Sequence, residues 1–160
     1  MATMPESPDD ADFAEAIASV ESELGTFYRR VRTTWSESAV AVHPSLQPIG
    51  YKILSALVQH GTAHVGTLGE QLAIDKSVMS RQIRMLEEFE LLTVGSDPND
   101  GRARILTPTP FAVERVTEVR ARNRHRLHAV LRDWTPEELR VFSGLLGRFG
   151  AVAEAVNPER

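Results

Sequence analysis

The stretch Lys76-Ser77-Val78-Met79-Ser80-Arg81-Gln82-Ile83-Arg84-Met85 holds three cations and no anion, whereas Glu87, Glu88 and Glu90 crowd the residues that follow. These side chains suit the edges of DNA bases. Arginine grips guanine through paired N–H donors, glutamine does the same for adenine, and a serine hydroxyl reaches a base or a phosphate. On a helix whose first turns enter a major groove, the exposed residues are Lys76, Ser77, Ser80, Arg81, Gln82 and Arg84. Acids at the far end oppose the helix dipole, which is tolerable if that end points away from the polyanion. By itself the pattern fits a surface helix with scattered charge equally well.

The segment Leu68 to Ile83 has the spacing of a helix-turn-helix. A short helix over Thr67–Ala73 is followed by the turn Ile74-Asp75-Lys76 and a longer helix from Ser77 to about Glu90. Leu68, Leu72 and Ile74 can lock the first helix against the second. Gly69 permits close approach, and Asp75 can cap the second helix. Val78, Ile83, Leu86 and Phe89 form its expected buried stripe. Leu91–Gly95 and Arg104–Thr107 are expected to be two short strands. The segment between them, Ser96 to Ala103, is rich in Asp, Pro, Asn and Gly and forms the loop of a hairpin.

Long helices flank this unit. Phe13, Ile17, Val20, Leu24, Phe27, Val31 and Trp35 recur at steps of three and four, giving one amphipathic helix from Asp12 to about Val42. His43 to Pro48 breaks it, and Ile49–His60 is a second helix stopped by Gly61. Phe111–Leu131 is another long helix, and its many arginines are expected to pair with Glu114, Glu118 and acids of neighbouring helices, or to touch a phosphate. Thr135-Pro136-Glu137-Glu138 opens the last helix with a capping box.

The chain has 160 residues, 42% of them hydrophobic, and a net charge of −4. That is enough to bury a core without staples, and DNA binding must then rest on local sorting of charge. There is no cysteine, which excludes disulfides, thiolate metal sites and thiol redox sensing. No apolar run spans a membrane. The acidic start lacks the features of a secretory signal, so a soluble cytoplasmic protein is expected. His60 and His64, or His125 and His128, are too few to complete a zinc site. No nucleophile elbow, phosphate loop or paired-carboxylate motif is present. No catalytic residue, metal or cofactor is therefore expected.

The hairpin decides between the readings. Asp97-Pro98-Asn99-Asp100-Gly101-Arg102-Ala103-Arg104-Ile105-Leu106-Thr107 resembles the wing motif of the MarR family of bacterial regulators. Asp75 to Glu87 likewise resembles that family's recognition helix, and the resemblance covers roughly Leu24 to Val152. It implies a mainly α fold with a small β-hairpin wing, a winged helix-turn-helix with long N- and C-terminal dimerisation helices. Residues 1–11 would be a flexible tail, 12–48 and 111–156 the helical dimerisation region, and 49–110 the DNA-binding lobe. Arg102 would reach the minor groove, Asp100 would support the wing, and Arg104 joins the DNA-facing set. The implied partners are double-stranded DNA with a near-palindromic operator, a second copy of the chain, and a small-molecule effector, often aromatic or phenolic. Trp35, His43, Tyr51 and Phe111 are the candidate lining of the effector pocket.

Three departures stand out. Glu90 replaces a usual glycine, Val94 a common basic residue, and Pro110 a frequent glycine. Two functions stay open at this point: a ligand-released DNA-binding repressor, and a winged-helix protein-interaction module without DNA binding.

Overall fold

The computed structural model describes residues 8–97 and 103–156. Helix α1 (Pro8–Val42) leads to α2 (Pro48–His60), the two-residue strand β1 (Ala63–His64), α3 (Val65–Leu72) and α4 (Lys76–Glu88). Strands β2 (Leu92–Ser96) and β3 (Arg104–Pro108) follow, then α5 (Pro110–Leu131) and α6 (Pro136–Val156). The three strands form one antiparallel sheet in the order β1-β3-β2. Leu92 faces Pro108, Val94 faces Leu106, and Ser96 faces Arg104.

Helix α1 starts at Pro8, so residues 8–11, expected in the tail, belong to the helix. Proline is well suited to such a start, since its missing N–H would have had no partner. Pro48 opens α2 and Pro110 opens α5 in the same way. Thr109 caps α5 by accepting from the Ala112 amide at 3.2 Å. The Thr135 capping box is formed as expected. The Thr135 amide donates to Glu138 Oε2 at 2.7 Å, and the Glu138 amide donates to Thr135 Oγ1 at 3.2 Å. Bonds from the Thr135 backbone and then its hydroxyl hold the Glu138 carboxyl below its ordinary range. The lowered pKa means the box is intact at neutral pH and is lost only as pH falls through that value.

The core is concentrated in the middle of the chain. Ala39 and Val42 of α1, Leu46, and Ile53, Leu54 and Leu57 of α2 pack with Leu68, Met79, Ile83, Leu86, Leu91, Leu106, Ala112 and Val116. Two arginines of α5 tie it to its neighbours. Arg115 donates to the Ala41 carbonyl at 2.7 Å, and Arg120 reaches the carbonyl and hydroxyl of Ser55. The expected pairing of that helix with acids is also present, as Arg115–Glu118 and Arg126–Glu37. Outside this core lie the first half of α1 and nearly all of α6. There Phe13, Ile17, Val20, Phe27, Tyr28, Phe142, Leu145, Leu146 and Phe149 are all at least 42% exposed.

Candidate nucleic-acid interface

Helices α3 and α4 make the helix-turn-helix, and their ends are built alike. At the end of α3 the Ile74 amide donates to Gly69 and the Ala73 amide to Glu70. At the end of α4 the Leu91 amide donates to Leu86 and the Glu90 amide to Glu87. Both are six-to-one and five-to-two closures, which require a left-handed residue just past the helix. That residue is usually glycine, but here it is Ala73 at φ 50° and Glu90 at φ 57°. Each accepts a local cost of about 1–2 kcal/mol for its Cβ. The departure at Glu90 is thus absorbed as strain, and the helix still ends where a glycine would end it. Thr109 Oγ1 and the Thr109 amide then donate to the Glu90 and Leu91 carbonyls.

The turn between the helices differs in detail from expectation. Asp75 stands at the cap of α4, but its side chain makes no capping bond. Lys52 of α2 donates to the Leu72 carbonyl at 2.8 Å, placing a cation at the negative end of α3. This bond joins residues 20 apart and leaves no local pattern. Gly69 is not a forced glycine, because an added Cβ would make ordinary contacts at 3.6 and 3.7 Å. The close approach is at Gly50 instead. A Cβ there would lie 2.7 Å from Leu46 Cδ1 and 3.0 Å from Gln82 Oε1.

Lys76, Ser77, Ser80, Arg81 and Arg84 are exposed on α4, as a groove-reading face requires. Neither Arg81 nor Arg84 forms an ion pair among the described residues. Ser80 Oγ donates to the Lys76 carbonyl at 2.9 Å, which leaves its lone pairs outward. Gln82 is the exception. It was expected on this exposed face, yet it is 0% exposed and packs between α4 and α2. The buried stripe is Met79, Gln82, Ile83 and Leu86, with Val78 and Phe89 only half-buried. A base cannot reach Gln82 in this position.

Both amide atoms of Gln82 are buried without a hydrogen-bond partner. An unsatisfied buried polar group costs about 1–3 kcal/mol. Gln82→Met keeps the length and removes the amide. We expect it to raise the unfolding free energy by about 1–2 kcal/mol, measured by urea denaturation. A destabilised variant would show that the amide is satisfied in solution.

The hairpin lies beside this helix pair. Arg104 is exposed at the start of β3, and the Asp97 amide donates to the Ala103 carbonyl where the loop closes. His64 Nε2 lies 3.3 Å from Asp97 Oδ2, joining the loop to the start of α3. Asp100 and Arg102, expected at the tip, lie outside the described residues.

The MarR family model matches residues 48–103, which run from α2 through the hairpin loop. A relative from Bacillus subtilis strain 168, the uncharacterized HTH-type transcriptional regulator YxaD, is 34% identical over 81% of this chain and 89% of its own. The chain belongs to the MarR family. The fold agrees. A crystal structure of a MarR family transcription regulator superposes with a TM-score of 0.80 at 14% identity, over 94% of this chain and 98% of that one. A MarR family protein from Bacillus stearothermophilus gives 0.75 at 19% identity, over 88% and 96%. As a MarR family transcriptional regulator, the protein acts through binding DNA.

Trp35, His43, Tyr51 and Phe111, expected to line an effector pocket, fall into two ring pairs and one exposed ring. Trp35 meets Tyr51 edge to face at 6.1 Å, and Tyr51 is buried. His43 stacks on Phe89 at 4.1 Å and accepts from the Ser45 amide through Nδ1. Phe111 is 53% exposed. The sheet's third strand, β1, was not expected, because two residues carry no periodicity. No helix among the described residues is long and apolar enough to cross a membrane.

Proposed function

We propose that this MarR protein is a homodimeric repressor that binds a near-palindromic operator and is released by a small molecule. The supporting observation is the exposed cationic face of α4, without ion pairs among the described residues and set beside a hairpin that offers Arg104. It is local sorting of charge on a chain of net charge −4. Lys76, Ser77, Ser80, Arg81 and Arg84 serve the major groove, and Arg102 the minor groove, with Asp100 supporting the wing. The apolar surface of α1 and α6 serves the second copy. An open groove of about 540 Å³ between them, lined by Val20, Leu24, Phe27, Phe142, Leu146 and Phe149 among others, is almost wholly apolar. The effector is aromatic or phenolic and acts by preferring a dimer whose recognition helices are wrongly spaced for successive grooves.

The test begins with duplexes selected by the full-length protein from a random pool. The selected duplexes should carry two half-sites about one helical turn apart, and their affinity should fall steeply with salt. Aromatic acids and phenols are then added. An effector must weaken DNA binding and be weakened by DNA to the same degree. A protein that selects no sequence from the pool would instead be an interaction module.

A further inference from the structure

Helix α3 packs on α4 on one side and on β1 and β3 on the other. It therefore stands between the two elements that enter DNA. One sugar-phosphate strand separates a major groove from the minor groove beside it. A protein that seats α4 in the first and its hairpin in the second must lay that strand across the start of α3. At this place the structure has an open cleft of about 600 Å³, lined by His64, Gly66, Thr67, Asp97 and Arg104 among others.

We infer that this cleft holds one backbone phosphate of bound duplex DNA, with Arg104 as its cation and Thr67 as a hydroxyl donor. This rests on the DNA-binding reading above and adds His64 and Thr67 to its surface. The charges in the cleft are sorted for an anion. Arg104 and Thr67 are exposed, and neither makes a side-chain hydrogen bond or ion pair among the described residues. The side chain of Asp97, by contrast, is only 13% exposed and is paired with His64. The acid is thus drawn inward against the His64 ring while the donors stay outward. His64 occupies the cap position of α3, but its ring is turned to Asp97 and makes no capping bond. The amides of the first turn are left without that side-chain partner, as an arriving oxyanion requires. Approach is unobstructed at Gly66, where even an added Cβ would meet nothing within 4 Å. A phosphate bound this way fixes the register of α4 on the duplex and carries no sequence information.

The experiment compares wild type, Arg104→Ala, Arg104→Lys, Thr67→Ala and Arg81→Ala on two 30-base-pair duplexes, one selected and one of random sequence, across a salt series. Arg104→Ala should weaken both duplexes about five- to tenfold and reduce the salt slope by about one. Thr67→Ala should weaken both about two- to threefold with little change of slope. Arg104→Lys should stay within about twofold of wild type, since a phosphate needs the charge and not the planar fork. Arg81→Ala should act on the selected duplex. Melting temperatures should not move, because the substituted side chains are exposed. An unchanged salt slope in Arg104→Ala overturns the inference, as does a loss confined to the selected duplex. If those results appear while Arg81→Ala still lowers selected binding, the cleft assignment fails and the DNA-binding reading stands. If wild type binds neither duplex, both fail.

Discussion

A chain ended at Asp133 should lose its self-association and its solubility together. The truncation removes Phe142, Leu145, Leu146 and Phe149, all 42–53% exposed in the single chain. It also strips the partner surface from Phe13, Ile17, Val20 and Phe27. Covering a half-exposed large side chain gains on the order of 1 kcal/mol. Loss of four on each protomer therefore removes several kcal/mol, or more than a hundredfold in association. The milder double variant Leu146→Asp, Phe149→Asp should give a folded monomer, because neither side chain belongs to the core of one chain. Sedimentation and circular dichroism separate these outcomes. A soluble dimer from the truncated chain, or an unaltered dimer from the double variant, would show that the partner sits elsewhere.

Arg81→Ala should cost about 1–3 kcal/mol of operator binding and relax base preference at one position in each half-site. The magnitude follows from the geometry of α4. Arg81 is exposed and has no acid partner among the described residues, so nothing competes with a guanine for its fork. It lies one residue after Ser80 and three before Arg84, both of which are also exposed on this helix. Arg84 supplies a second long cation, so the loss is partial rather than total. The measurement is a second selection with the variant, compared position by position with the first. Identical affinity and identical preference would place base reading on another surface.

Most of the architecture was legible because it is written in periodicity and punctuation. Steps of three and four give the long helices, and Asp-Pro-Asn-Asp-Gly gives the hairpin loop. Pro48, Pro110 and Thr135 mark helix starts. The burial of Gln82 was also legible, though residue type obscured it. It lies four residues after Val78 and four before Leu86, both assigned inward, so helical spacing alone puts it on the same face. A polar side chain was placed outside because burial of an unpaired amide is costly, and here the chain accepts that cost. The role of Gly50 was not legible, because it depends on what α4 and Leu46 bring against it from elsewhere. The same holds for Lys52 on the end of α3 and for Arg120 on Ser55, contacts joining residues 20 and 65 apart.

Helix α1 has a mechanical consequence. It is 35 unbroken residues, about 52 Å at 1.5 Å per residue. Only its last turns, around Ser38, Ala39 and Val42, are anchored in the core. The remainder is a lever arm with its fulcrum beside the connector that carries His43 to Phe89 and Leu46 to Gly50. A tilt of about 5° at the fulcrum swings the far end by about 4 Å over the free length of the rod. In a dimer clamped at that far end, the motion runs in reverse. A shift of a few ångströms between the clamped ends becomes a few degrees of rotation at the base of each lobe. Substitutions remote from the DNA, along the rod or at its hinge, should therefore retune operator spacing without touching a single groove contact.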